Sequence, residues 1–115
     1  MEVTQTFPRP RIADVAATVR DGLRPLAAPL RGRRIAITAG SRGIRDIVPA
    51  LQGAVAALRD AGAEPVVVAA MGSHGGGTAE GQLRVLTHLG VTAEGLGAPV
   101  LSSMEVVELG RTAGG

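Results

Sequence analysis

Two glycine-rich loops constrain this chain more than any other feature, because each lies between a short apolar run and an amphipathic helical pattern. The first loop, Gly40-Ser41-Arg42-Gly43-Ile44-Arg45, follows Ile35-Ala36-Ile37-Thr38. The second, Gly72-Ser73-His74-Gly75-Gly76-Gly77-Thr78, follows Val66-Val67-Val68-Ala69-Ala70. Short apolar runs of this kind suit strands buried on both faces, as in parallel sheets. Two strand–loop–helix units in tandem predict an α/β fold, a Rossmann-like parallel sheet with flanking helices. Right-handed crossovers put both loops on the C-terminal edge, where open α/β sheets bind ligands.

The rest of the chain divides around these units. Residues 1–33 read as an extended segment and a helix, and residues 34–115 as the α/β domain. Pro8 and Pro10 forbid a helix at the start. From Arg11 the apolar positions Ile12, Val15, Ala16, Val19 and Leu23 have helical spacing, with Asp14 in the first turn and Pro25 and Pro29 as stops. Residues 31–34 form a basic turn. The first strand covers 34–39. A helix is expected from Arg45 to Ala61, with the stripe Ile44, Ile47, Val48, Leu51, Val55 and Leu58. Pro49 lies in its first turn or so, and Gly62 follows it as a C′ glycine. The second strand covers 65–70. Thr78 is a candidate N-cap for a helix over 79–89, with Glu80 complementing its dipole. Leu83, Leu86 and Leu89 are its core residues, and Gly90 ends it. Residues 91–97 read as a turn or short helix. Pro99-Val100-Leu101 and Met104 to Leu109 read as two further strands. The order β-α-β-α-β-β is one half of a doubly wound sheet. The closing residues carry no stop signal, so the chain reads as the N-terminal half-domain of a two-domain protein.

Composition narrows the function. The chain has 115 residues, 45% of them hydrophobic, and Phe7 is its only aromatic residue. The core must therefore be aliphatic. With no Cys there are no disulfides and no thiolate metal sites. No apolar run is long enough to span a bilayer and no basic-then-apolar leader opens the chain, so a cytoplasmic protein without a membrane partner is expected. The pI of about 11.0 arises because every strongly basic side chain is Arg, while the formal charge is only +2. The arginines are scattered apart from Arg31-Gly32-Arg33-Arg34, and no aromatic residues interleave with them to stack on bases. Nucleic acid is therefore not an expected partner. The absence of Lys and Tyr removes a Schiff base, a lysine base and a tyrosine acid.

The loops carry the chemistry. Gly40 and Gly43 permit tight turns and close ligand approach. Ser41 offers a hydroxyl, and Arg42 and Arg45 can fork onto a carboxylate or phosphate. The plainer alternative leaves both arginines solvated and paired with Asp46 or Glu64. His74 sits among glycines with no bulk around it. That placement suits a general acid or base, a ligand or a hydrogen-bond donor better than core packing; the alternative is a flexible turn. His88 is read as a cation at a helix C-terminus, so no metal site is expected from this chain alone. Thr38-Ala39-Gly40-Ser41-Arg42-Gly43-Ile44-Arg45 resembles the cofactor loop of short-chain dehydrogenases. It departs from that loop at Ala39 and Arg45, and a chain without Tyr and Lys lacks that family's proton relay.

A more extended resemblance covers about two-thirds of the chain in one order. It is carried by Ile37-Thr38-Ala39-Gly40-Ser41-Arg42-Gly43-Ile44 and by Ala70-Met71-Gly72-Ser73-His74-Gly75-Gly76-Gly77-Thr78-Ala79-Glu80-Gly81-Gln82. Leu89-Gly90-Val91-Thr92 and the segment Ser102 to Gly110 extend it. These residues resemble the N-terminal part of the lactate-racemase-like, nickel-pincer-nucleotide-dependent family. The resemblance implies two α/β domains with the cofactor between them, and racemisation or epimerisation of 2-hydroxy acids. It implies a hydride moved from the α-carbon to the cofactor and back, through a keto acid, with histidines exchanging the hydroxyl proton. His74 matches one of those histidines. Ser41, Arg42, Gly43, Arg45, Ser73, Gly75 and Gly76 are the implied substrate or cofactor contacts. Lactate racemases carry an acidic residue before the arginine in the first loop, where this chain has Ser41. That departure points to other hydroxy acids, larger or dicarboxylic, with Arg42 or Arg45 on a carboxylate. The lysine that tethers the cofactor and the histidine that binds nickel are expected outside this chain, in the C-terminal domain of the same enzyme, and these residues alone are expected to be inactive. An open sheet edge makes a homo-oligomer a further expectation. The alternative from another class is a non-catalytic anion- or nucleotide-binding α/β module.

Overall fold

A computed structural model describes residues 1–114. Helix α1 (Val15–Ala27) is followed by a single 3-10 turn (Ala28–Leu30) and strand β1 (Arg34–Ala39). Then come α2 (Ile47–Asp60), β2 (Glu64–Ala69), α3 (Ala79–His88), the one-turn α4 (Ala93–Leu96) and β3 (Val100–Leu101). The three strands form one parallel sheet in the order β1-β2-β3. The chain is thus an α/β fold with an open parallel sheet and flanking helices.

Local chemistry places the helix ends. Asp14 is extended and its Oδ1 accepts from the Ala17 N–H at 2.9 Å, so it caps α1. The helix therefore starts at Val15 and not at Arg11, and Ile12 is exposed. Pro25 does not stop α1, which runs through it to Ala27. Proline removes one N–H bond, here on an exposed part of the helix, and the Ala28 N–H still closes the last turn on the Arg24 carbonyl. At the end of α2, Gly62 takes φ 79°, the left-handed conformation of a C′ glycine. Thr78 caps α3 by accepting from the Gly81 N–H at 3.1 Å, and Thr92 caps α4 in the same way.

The core is aliphatic. Val67 on β2 and Leu86 on α3 are fully buried, and Leu51, Val55, Met71, Val91 and Leu96 pack with them in one cluster. Helix α1 lies across α2 at a glycine: a Cβ on Gly53 would overlap the Ala16 carbonyl oxygen and reach the Val19 Cβ at 3.0 Å. The Arg20–Asp60 ion pair (2.9 Å) spans the same two helices.

Three expectations need correction. Strand β1 is not buried on both faces: Ile35, Ile37 and Ala39 face inward, while Arg34, Ala36 and Thr38 are exposed. It is an edge strand, and only one of its faces is covered. Ile44 is not part of the α2 stripe, because α2 begins at Ile47; it is 60% exposed in the preceding loop. Met104 to Leu109 does not form a strand. The sheet ends at β3, no neighbour pairs with these residues, and they are exposed.

Candidate functional site

The register of the sheet decides where the two loops start. Ala39 and Ala69 are partners, and the Ala70 N–H donates to the Ala39 carbonyl at 2.9 Å. Both loops therefore leave the C-terminal edge at the same level.

The second loop is held in an unusual backbone path. Gly72 has φ 60°, and Gly75, Gly76 and Gly77 are successively left-handed at 67°, 71° and 65°. Non-glycine residues pay about 1–2 kcal/mol for each such conformation. Gly75 and Gly81 also touch through their backbones. A Cβ on Gly75 would come within 2.5 Å of the Gly81 carbonyl carbon, and a Cβ on Gly81 would overlap the Gly75 carbonyl oxygen. The glycines thus fold the loop back onto the first turn of α3. Inside that contact lies Gln82, the one buried polar side chain among the described residues, 3% exposed. Its Nε2 donates to the Gly72 carbonyl at 2.8 Å, and its Oε1 accepts from the Ser102 hydroxyl at 3.2 Å.

This path brings His74 to the first loop, where Nδ1 of His74 and Oγ of Ser41 are hydrogen-bonded. The imidazole tautomer decides which of the two donates. Around the pair is a cleft of about 430 Å³, lined by Gly40, Ser41, Arg42, Ile44, Ala70, Met71, Gly72 and His74. It combines a hydroxyl, an imidazole and a guanidinium with the apolar side chains of Ile44 and Met71. Arg42 is exposed and, among the described residues, makes no ion pair. Such an arrangement can bind an anion through Arg42 and exchange a proton through His74.

Ser41, Arg42 and His74 thus meet, and other expected contacts do not join them. Arg45 faces a different groove, with Pro10, Ile12, Asp14 and Pro49, and it does not pair with Asp46 or Glu64. Ser73 and Gly76 are exposed on the loop beside His74. Gly43 is left-handed, and its N–H turns back to the Ser41 carbonyl at 3.2 Å. Gly75 borders a separate, mostly apolar groove over α3, with Arg84, Val85, His88 and Leu89. Sequence reasoning missed Ile44, Met71 and Gln82. A signal existed for Gln82, since it continues the spacing of Leu86 and Leu89 and an amide there must find buried partners.

Among the described residues no group of three or more His, Asp or Glu side chains could hold a metal ion. No helix among them is long and apolar enough to cross a membrane. No family model, curated protein or solved structure matches the chain.

Proposed function

We propose that these residues are the N-terminal, Rossmann-like domain of a two-domain racemase or epimerase of 2-hydroxy acids, of the lactate-racemase-like class. The observation that carries the reading is the hydrogen bond between Ser41 and His74, made across the two glycine loops in a cleft that also holds Arg42. Sequence resemblance supplies the reaction, and the cleft supplies groups suited to its substrate.

In this reading Arg42 forks onto the substrate carboxylate. Ser41 holds the His74 imidazole through Nδ1, leaving Nε2 to accept the C2 hydroxyl proton and later return it. Ile44 and Met71 offer the substrate side chain an apolar wall. A single guanidinium in the cleft, with Arg45 turned to another groove, favours a monocarboxylate with an apolar side chain over a dicarboxylate. The nickel-pincer nucleotide of the resembled family would supply the hydride acceptor. These residues do not fit the role of its holder: the chain has no lysine, and the described residues offer no metal-binding cluster. Tether and nickel ligand belong to the second domain. The unpaired Arg42 also favours a second reading, a non-catalytic module that captures an anionic nucleotide or carboxylate.

The test supplies the intact protein with the pincer nucleotide and single enantiomers of apolar 2-hydroxy acids, and follows the second enantiomer by chiral chromatography. Racemisation is expected. His74→Ala is expected to lower the rate by about 10²–10⁴-fold with the fold intact by circular dichroism. Full activity in that variant sinks the assignment of His74. Micromolar nucleotide binding with no racemisation favours the binding module.

A further inference from the structure

We infer that Gln82 is the positioning residue for His74: its buried amide clamps the second glycine loop so that the imidazole meets Ser41. The inference rests on the reading of His74 as the acid/base group of the site.

The geometry fixes how the amide works. A backbone carbonyl can only accept, so the side-chain nitrogen of Gln82 must face the Gly72 carbonyl, where the distance is 2.8 Å. Its oxygen is then left for Ser102, whose hydroxyl must donate across 3.2 Å. No other orientation of the amide satisfies both partners. One side chain thereby ties three segments: the first turn of α3, the second loop two residues before His74, and the residue that follows β3.

Other contacts hold the loop on either side of Gly72: Met71 packs in the core cluster, and Gly75 lies against Gly81 and accepts from the Thr78 hydroxyl. Gly72 is left-handed with open space around its Cα, so no side chain of its own anchors it. The His74 N–H reaches the Met71 carbonyl at 3.2 Å, which is a local turn. His74 is exposed and, among the described residues, its ring bonds only Ser41. The core thus reaches His74 by two routes, through Met71 in the chain itself and through the side-chain hydrogen bond of Gln82 to the Gly72 carbonyl, and the second is the one a single side-chain substitution removes. Gln82 is too deeply buried to touch a substrate in the cleft, so it acts through His74.

Gln82→Met keeps the length and shape of the side chain and removes both hydrogen-bonding groups. The intact protein, labelled with ¹⁵N-histidine, is read by long-range ¹H–¹⁵N spectra of the imidazoles, with His74 assigned from its loss in His74→Ala. His88, exposed at the far end of α3, is the internal control. In Gln82→Met the His74 ring nitrogens are expected to move toward the values of a freely exchanging imidazole, with His88 unmoved. Where racemisation is measurable, kcat is expected to fall by about ten- to a hundred-fold with KM little changed, as for a displaced reacting group. Should Gln82→Met not fold, Ser102→Ala replaces it, and a smaller shift of the same sign at His74 is expected. Unchanged His74 resonances, or equal shifts at His74 and His88, overturn the inference. The spectra are read without substrate. A wild-type protein that racemises nothing removes the racemase reading, and the spectra still decide the role of Gln82.

Discussion

At Gly81 the structure leaves no room for even a methyl group, because the Gly75 carbonyl oxygen occupies the place of the missing Cβ. At Gly76 a methyl group meets nothing, and only the left-handed backbone (φ 71°) opposes it. The two positions therefore separate contact from conformation. Gly81→Ala must move backbone against backbone and is expected to destabilise the fold by about 2–4 kcal/mol, whereas Gly76→Ala costs about 1 kcal/mol. Urea denaturation of both variants checks the order, and an equal loss contradicts it. The same contact explains what the sequence conceals. A run of three glycines reads as a flexible turn, because the partner that makes it rigid, Gly81, is recognisable only once the loop has folded back. The exposure of His74, by contrast, is legible: a histidine with no bulky neighbours has little to pack against, and it lies exposed beside Ser41.

Among the elements, those set by short-range chemistry were the most legible. The Thr78 cap, the Gly62 stop, and strands β1 and β2 fall within a residue of their expected places, because each depends on groups close in sequence. Thr78→Ala is expected to cost about 1 kcal/mol through the lost bond to the Gly81 N–H, and Asp14→Ala about the same through Ala17. Thermal melts give both values. Only the Thr78 change sits beside the His74 loop, so only it is expected to lower activity as well. What failed depended on distant surroundings. The exposed face of β1 follows from packing that covers only the side of Ile35 and Ile37, and a short apolar run does not say which of its faces other elements will cover. The segment Met104 to Leu109 has the apolar and β-branched residues of a strand, yet none of the three strands pairs with it. Spacing puts Ile44 on the α2 stripe, whereas the helix starts three residues later and leaves it to the cleft.

For the whole molecule, the packed body ends near Ser102, which Gln82 binds. Residues 103–114 are exposed throughout, including Val106, Val107 and Leu109. A protein cut after Ser103 is expected to unfold within about 0.5 kcal/mol of the full chain in urea, since exposed residues contribute little to stability. A large loss shows that this tail supports the fold. The packed body itself also measures distance. β1 and β2 run side by side from Arg34↔Glu64 to Ala39↔Ala69 without a bulge, so each strand is a ruler that delivers its loop to the same mark. Loss of one residue from either ruler draws its loop back by about 3.3 Å and turns every later side chain to the opposite face. The spacing of Ser41 and His74 is thus written in strand length, and an insertion or deletion inside a strand silences the pair where one in the exposed tail goes unnoticed.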